Sequence, residues 1–216
     1  MSKKYITLSW NAIDYTINNN TKQTIFDFNQ KRNIKIWKNS EIVYKFLAVW
    51  EKKFEVNIDI DWDNSDTEIN ILILSKNNET PDWDITVNLN SNFSSVNVKI
   101  TSLGWEQANI NANWNINIAK NVQKSSGHLT QENLYLGEKG TISICPQLNV
   151  SSNDIQASHG ASVSRISPEK LFYITSKWIT KTNWISLIVN SYINNFFEKI
   201  QEFDQKEKQV LDYILQ

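Results

Sequence analysis

The sequence has few of the residues that mark covalent cross-links, tight turns or membrane spans. Of its 216 residues, one is Cys, three are Pro and five are Gly. A single thiol, Cys145, excludes an internal disulfide framework and suits a reducing compartment, so a cytoplasmic location is expected. No apolar run approaches the ~20 residues that a membrane span needs. The N-terminus lacks the apolar core of a signal peptide, so neither a membrane nor an export route is expected.

Organised charge is scarce as well. The chain carries 22 basic and 23 acidic side chains, which gives a net charge of −1, and no basic block stands out. Nucleic acid is therefore not an expected partner. The 40% apolar and 12% aromatic content predicts a folded chain with a sizeable core.

Short-period alternation is what the sequence has in abundance. Between about residues 5 and 150, apolar and polar residues alternate in runs at 69–74, 83–90, 96–100 and 113–118, separated by Asn- and Ser-rich clusters. Each run predicts a strand with one apolar face. The pattern allows a β-sandwich, a barrel or a β-helix. Frequent Asn at the strand ends favours stacked coils, in which like polar side chains form ladders.

After Ser167 the period becomes helical. Ser167 can cap a helix, Pro168 suits its first turn and Glu169 favours its positive end. The first helix continues through Leu171, Phe172 and Thr175. A second helix is predicted after Thr182 from apolar residues at three- and four-residue steps: Ile185, Ile188, Val189, Tyr192, Phe196 and Ile200. A third segment offers Val210, Leu211 and Ile214.

The junction between the two halves carries the most specific pattern in the chain. Residues 156–163 read Gln-Ala-Ser-His-Gly-Ala-Ser-Val, and residues 168–173 read Pro-Glu-Lys-Leu-Phe-Tyr. This stretch resembles the C-terminal signature of the SufB/SufD family of iron–sulfur cluster assembly scaffolds, and its SufD branch in particular. Residues 188–192, Ile-Val-Asn-Ser-Tyr, resemble SufB more closely. The resemblance covers roughly residues 120–200, in order and without a break.

The resemblance implies a mainly β fold: a right-handed parallel β-helix over residues 1–160, followed by a short C-terminal α-helical domain over 161–216. It implies a non-catalytic scaffold that pairs with a SufB-like partner through the last β-helix strands. The C-terminal helices would bind a SufC-like ABC ATPase. The residues expected to meet partners are Leu171, Phe172, Tyr173, Ile188, Asn190 and Tyr192.

A transient iron–sulfur cluster, shared with the partner chain, is the cargo that the resemblance implies. His159 is the best candidate ligand, because imidazole nitrogen can bind iron and the family's His lies at the pairing interface. His159 is expected in a turn, where the β-helix ends near Ala157, and the alternative is a His that only packs at that turn beside Gly160. Cys145, in a predicted strand, is a weaker candidate ligand, and its alternative is a small buried apolar residue. No nucleotide is expected on this chain, since residues 137–140 lack the P-loop spacing.

Several positions depart from the family pattern. The N-terminal helical region of familiar members is not found in this sequence. Trp178 stands where the family has Gly at the end of the first tail helix, so that turn is expected to differ. Ala157 replaces a familiar Cys, and Gly140 lies nearest to the cysteine to which the family resemblance assigns the cluster in SufB. His128, after Ser126 and Gly127, is expected in a polar surface turn.

Two alternative functions stay open at the level of sequence. In the first, a reduced homologue pairs with an identical chain as a homodimer. In the second, a β-helical protein acts on carbohydrate through Asp59, Asp61 and Asp63, which alternate along a strand. Neighbouring Trp residues would line that cleft, although most of them are expected in the core or at its rim: Trp10, Trp37, Trp50, Trp62, Trp83, Trp105 and Trp114.

Overall fold

The chain winds between two parallel sheets. A computed structural model describes residues 5–8, 12–28, 31–49, 53–76, 80–137 and 139–197. The odd-numbered strands form sheet A: β1 (Tyr5–Thr7), β3 (Lys22–Asp27), β5 (Glu41–Val49), β7 (Asp66–Ser75), β9 (Ser95–Gly104), β11 (Gln123–Tyr135) and β13 (Asp154–Arg165). The even-numbered strands form sheet B: β2 (Asp14–Ile17), β4 (Lys31–Ile36), β6 (Lys53–Ile60), β8 (Asp82–Leu89), β10 (Asn109–Ile118) and β12 (Thr141–Val150).

Each strand is hydrogen-bonded in parallel to the strand two places along the chain. The architecture is therefore a parallel β-solenoid, the β-helix among the three folds that the alternation allowed. The predicted strands at 69–74, 83–90, 96–100 and 113–118 are confirmed. The right-handed sense stays an expectation of the resemblance.

In-register rows of apolar side chains fill the lumen between the sheets. In sheet B, one row runs through Ile58, Val87 and Ile116, all of them buried, and ends at Leu148 in the last strand. The strands read as alternating apolar and polar because every second side chain points into this lumen. The alternation seen in the sequence is thus the signature of the core.

Amide ladders run along the outer face of sheet B. Asn149 Nδ2 donates to Asn117 Oδ1 (2.9 Å), Asn117 Nδ2 to Asn88 Oδ1 (2.8 Å), and Asn88 Nδ2 to Asp59 Oδ1 (2.8 Å). A carboxylate only accepts, so Asp59 sets the direction of the whole ladder. The Asn-rich composition therefore serves the stacking of the rungs, as the strand-end Asn pattern predicted.

The turn that leads from sheet B to sheet A requires a left-handed backbone in successive rungs. Its φ angles are 57° at Asn20, 56° at Asn39, 61° at Asn64, 54° at Phe93 and 52° at Lys124. Asn tolerates this conformation better than other side-chain-bearing residues, which explains the Asn clusters between the predicted strands.

Two helices follow β13. Helix α1 (Pro168–Ser176) begins as predicted, with the Lys170 N–H donating to Ser167 Oγ at 3.3 Å. Helix α2 (Lys181–Phe197) buries Trp184, Val189, Ile193 and Phe197. These side chains pack on the outer face of sheet A, whose contribution is Phe26, Leu47, Leu72, Leu74, Leu103, Trp105 and Leu136. The solenoid continues past residue 160 to Arg165. Ile200 and the predicted third segment lie outside the described residues.

Three local expectations are wrong. His159 and His128 were expected in turns, but both lie within strands, β13 and β11, which pair in register from Ser125 and Ile155 onward. The adjacent Gly160 and Gly127 suggested turns, yet the long in-register pairing holds both segments extended. The turn at Trp178 was expected to lose its left-handed backbone, but it keeps a φ of 63°.

Candidate functional site

Among the described residues, no strand lies beyond the last rung of the solenoid, which is formed by β12 and β13. These strands end the two sheets, each bonded on one side only. The lumen-side residues of β12 are partly exposed, although they continue buried rows. They include Ile142, Ile144 and Leu148. Strand β12 contains no charged residue. The rung therefore presents apolar side chains together with two rows of backbone edge groups.

His159 stands in the middle of this open rung. It pairs with Leu129, a buried core residue, so its side chain belongs to the lumen side of β13. Directly opposed residues in a parallel pair point to the same face of a sheet. His159 is exposed because no further rung covers it. The structure thus places the predicted ligand on the open end itself.

Cys145 lies on the other side of the last rung. It pairs with Asn113, an exposed outer-face residue of β10, and is itself exposed. The alternative of a small buried residue is therefore wrong, because its position in the alternation faces outward. Cys145 points away from the lumen and His159 lies on the lumen side, so the last rung separates the two predicted ligands. Within the described part of the chain, no three His, Cys, Asp or Glu side chains converge as a metal site.

The second histidine is a neighbour of His159 in the sheet but faces the opposite way. His128 pairs with Ser158, and its Nδ1 lies 2.7 Å from Ser158 Oγ. This contact fastens the outer faces of β11 and β13 together. His128 thus offers a natural control for any role of His159, because both imidazoles sit on adjacent strands.

Polar contacts join the last two rungs at the C-terminal end of β13. The guanidinium of Arg165 lies 4.8 Å from the centroid of the Tyr135 ring, and its Nη2 donates to the Gly140 carbonyl at 2.7 Å. The Tyr135 hydroxyl donates to the Glu106 carbonyl at 2.7 Å. Burial raises the pKa of Tyr135, while the nearby Arg165 charge acts in the opposite direction. Asn133, beneath the same end, donates to the Ser162 carbonyl at 2.9 Å.

The helical layer offers a second exposed surface. Of the predicted partner-binding residues, Phe172 and Tyr173 are 76% and 64% exposed. Leu171, Ile188 and Tyr192 are instead partly buried against sheet A, and Asn190 is half-buried. The helical period located the apolar positions but did not separate those that pack inward from those that face solvent. Trp178 (96% exposed) and Leu187 (60% exposed) belong to the surface too, and neither was predicted as a partner contact.

The carboxylates considered for carbohydrate chemistry are hydrogen-bonded to the following rung. Asp59 and Asp61 accept from the amides of Asn88 (2.8 Å) and Asn90 (2.9 Å), and Asp63 accepts from the Asn92 N–H (2.7 Å). These contacts account for their regular spacing. Trp83, Trp105 and Trp114 are buried, while Trp37 and Trp62 stack at the surface with centroids 5.3 Å apart. Trp10 and Trp50 lie outside the described residues.

The fold and its open rung define a class: a parallel β-solenoid with an uncovered apolar end and a layer of helices on one sheet. Residues 10–192 match the family model described as the SUF system FeS cluster assembly, SufBD core domain. The chain therefore belongs to the SufB/SufD family of iron–sulfur cluster assembly proteins. Within the described residues, none of the helices has the length and apolarity to cross a membrane.

Individual relatives agree with the family model. The chain is 27% identical over 149 residues to the Escherichia coli protein named iron–sulfur cluster assembly protein SufD, covering 69% of this chain and 35% of that protein. It is 31% identical over 77 residues to a SufBD family protein of Methanothermobacter thermautotrophicus, covering 36% of this chain and 19% of that protein. The chain thus matches about a third or less of the length of these relatives. Its likeness to SufD confirms the SufD-like assignment.

Proposed function

We propose that this chain is a non-catalytic scaffold subunit of an iron–sulfur cluster assembly complex. The observation that supports this most is the uncovered rung, because it joins an apolar lumen, two open sheet edges and His159 in one surface. A surface of this kind suits a protein partner rather than a small substrate.

The partner that this end fits is a SufB-like β-helix. Strands β12 and β13 present backbone edge groups on both sheets at once, and the open end of a second parallel solenoid would present two edges of the same kind. Edge pairing would supply main-chain hydrogen bonds, and the half-exposed Ile144 and Leu148 would become buried. The absence of charge in β12 removes the desolvation cost of burying ions there.

His159 is the residue proposed to hold the cargo. A ring nitrogen of His159, on the lumen side of the open rung, would donate its lone pair to iron of a nascent cluster. Thiolates from the partner chain would supply further ligands, since Cys145 faces away. The cluster would then form between the two chains and leave when they separate.

The helical layer is proposed to receive a SufC-like ABC ATPase. Phe172 and Tyr173 face solvent on α1, while α2 is anchored to sheet A through Trp184 and Ile193. Movement of a bound ATPase would therefore be transmitted to the solenoid as a rigid body and change its position relative to the partner. ATP hydrolysis would be carried out by the ATPase and not by this chain.

Anaerobic reconstitution tests the cluster role. The chain is co-expressed with the SufB-like and SufC-like proteins of its own organism, and the purified complex is treated with iron and sulfide. We expect His159→Ala to reduce the visible absorption of the cluster strongly while the complex stays assembled. His128→Ala, the matched control on the outer face, should leave the absorption unchanged. Equal absorption in wild type and His159→Ala would remove the ligand role.

A second copy of this chain is the alternative partner, and one feature of β13 favours it. The lumen-side residues of β13 have the same order of sizes in both directions: large, small, His, small, large. They are Ile155, Ala157, His159, Ala161 and Val163. Antiparallel pairing of two copies about His159 would set Ile155 of one copy opposite Val163 of the other. It would also bring both imidazoles together.

Disulfide trapping tests this self-pairing in a Cys145→Ser background. Directly opposed residues have Cα atoms about 4.5–5.5 Å apart, so His159→Cys should cross-link to its copy. Ala157→Cys should not, since its counterpart would lie four residues away along the strand, about 13 Å. A monomer by light scattering, without cross-linking at either position, would exclude the homodimer and leave the SufB-like partner untouched.

A further inference from the structure

Trp178 is held in a backbone conformation that its side chain disfavours. It follows Lys177, the C-cap of α1, and its φ is 63°. Its N–H donates to the Thr175 carbonyl at 3.1 Å, which is one of the hydrogen bonds of a left-handed helix end. Bulky side chains rarely occupy this region, where Gly is the usual residue. The turn therefore contains a local strain that a Gly would relieve.

The contacts that the described residues make with Trp178 do not offset that strain. The Trp178 side chain leaves 96% of its surface in solvent, the most of any large apolar residue among those that the structure describes. An exposed indole in a strained turn favours neither stability nor solubility. Strain that local packing does not explain is a recurrent feature of functional positions.

Phe93 has the same left-handed backbone conformation as Trp178, but at Phe93 this conformation has a structural reason. Its φ is 54°, and its side chain is 55% exposed. It occupies the solenoid turn in which Asn20, Asn39 and Asn64 adopt the same conformation, so the geometry of the rung imposes the left-handed backbone. Lys124 covers its ring, with Nζ 5.6 Å from the centroid. Trp178 has neither a repeated turn nor a covering cation in the described contacts.

The surroundings of Trp178 indicate the chemistry of what would cover it. Phe172 and Tyr173 are exposed on the same short helix, and Lys177 Nζ lies 5.5 Å from the Tyr173 ring. Residues 168–181 contain three Lys and one Glu. Helix α1 and the turn that ends it thus expose three aromatic side chains in a positively charged setting, which is complementary to an apolar surface with a carboxylate rim.

We propose that Trp178 is the anchor by which this chain docks its ABC ATPase, in an apolar pocket rimmed by acidic side chains. This inference rests on the proposed function and adds a specificity determinant to it. Buried Trp residues dominate the binding energy of many protein interfaces. An anionic membrane would also attract Lys and Trp. However, membrane-surface binding suits an extended apolar helix face better than one short helix and its terminal turn.

The test compares Trp178→Gly with Phe93→Gly in the full chain. Both variants relieve a left-handed backbone, so both should unfold at a temperature equal to or about 2–4 °C above that of wild type. Titration calorimetry with the SufC-like ATPase of the same organism should show at least about tenfold weaker binding for Trp178→Gly. Phe93→Gly should bind like wild type.

The outcomes separate the inference from the proposed function. If wild type binds the ATPase and Trp178→Gly binds equally well, Trp178 is not the anchor, and the docking proposal stands. If wild type does not bind, the docking proposal itself fails. Co-sedimentation with vesicles of equal parts phosphatidylcholine and phosphatidylglycerol provides the remaining arm: binding that Trp178→Gly abolishes would assign the residue to a membrane and overturn the inference.

Discussion

Strands β10 and β12 show how strongly position along a solenoid decides the role of a strand. They pair in register over all ten residues of each, from Asn109 and Thr141 to Ile118 and Val150. Both alternate apolar and polar residues, yet the inward side chains of β10 are buried and those of β12 are partly exposed. The residues are chemically alike, so the next rung makes the difference. The inward side chains of β10 stabilise the fold, whereas those of β12 form a partly exposed apolar face.

The early rungs contrast with the open end in their treatment of charge. Near β3, Arg32 forms two hydrogen bonds to the Asp27 carboxylate, at 2.6 and 2.7 Å, and the Tyr44 hydroxyl donates to it at 2.8 Å. Arg32, Asp27 and Tyr44 are all buried. At the open end, Arg165 is exposed and reaches a ring face and one carbonyl. A buried charge needs an opposite charge or hydrogen bonds of this kind, whereas an exposed charge retains water.

The largest expected effect is a loss of stability when a carboxylate is placed in one row of the lumen, and it is compared between two rungs of that row. Ile116→Asp places a carboxylate among buried side chains and should destabilise the fold by about 4 kcal/mol or more. Leu148→Asp, its in-register neighbour, can keep its charge in water and should cost about 1–2 kcal/mol. Urea unfolding followed by circular dichroism measures both. Similar losses would mean that the last rung is as essential to the core as the inner ones.

A smaller loss of stability is expected when Arg32 or Arg165 is removed, and it should differ between the two. Arg32→Ala leaves the Asp27 charge buried without this partner and should reduce the free energy of unfolding by about 3–5 kcal/mol. Arg165→Ala removes an exposed cation–π contact and the hydrogen bond to the Gly140 carbonyl, and should cost about 1–2 kcal/mol. The same urea titrations apply. A loss below about 1 kcal/mol for Arg32→Ala would show that the buried network is not stabilising.

Tyrosine ionisation provides the next comparison. Burial and the neighbouring Asp27 raise the pKa of Tyr44 well above its ordinary value of 10.0. A raised folded-state pKa gives stability that is complete below pH 10 and is lost as the pH rises towards the folded value. The wild-type stability should therefore fall above pH 10 more steeply than that of Tyr44→Phe, in denaturant titrations at successive pH values. Tyr135→Phe should show a smaller difference, because the Arg165 charge opposes the effect of burial there. Parallel curves for wild type and Tyr44→Phe would contradict this.

The smallest expected effect concerns the outer amide ladder. Asn117 donates to Asn88 and accepts from Asn149, so Asn117→Ala breaks two bonds and should cost about 1–2 kcal/mol. Asn149→Ala breaks one exposed bond and should cost about 0.5–1 kcal/mol. Thermal unfolding of the two variants decides the order. The reverse order would indicate that the ladder is weaker in the middle of the sheet than at its end.

Much of the fold followed from local pattern. The period of two located the inner strands, because most lumen-facing residues of these strands are apolar. Ser167 and the spacing from Ile185 to Phe196 likewise located both helices. The match at residues 156–173 identified the family and, with it, the β-helix among three possible β folds. The candidate site was less accessible: His159 was named, but as a turn residue, since Gly160 beside it resembles a turn signal.

The side chains of Cys145 and His159 show why the site needed the structure. Each was identified as a possible ligand by its chemistry, yet the alternation of β12 directs Cys145 outward and that of β13 directs His159 towards the lumen side. Because β12 and β13 belong to different sheets, the sequence does not show whether a residue of one strand and a residue of the other face the same side. Trp178 is a related case. Its identity was visible as a departure from the family pattern, but its left-handed backbone and its exposure were not.

The alternation of the strands, the start of the helical tail and membership of the SufB/SufD family follow from the order of residues, because each depends on neighbours a few residues apart or on a contiguous motif. Three features required the folded chain: which rung is left uncovered, which face each candidate ligand occupies and which aromatic side chains of the tail reach solvent. These features depend on segments that are 19 to 32 residues apart along the chain and adjacent across a rung. Stacking, rather than local propensity, brings them together.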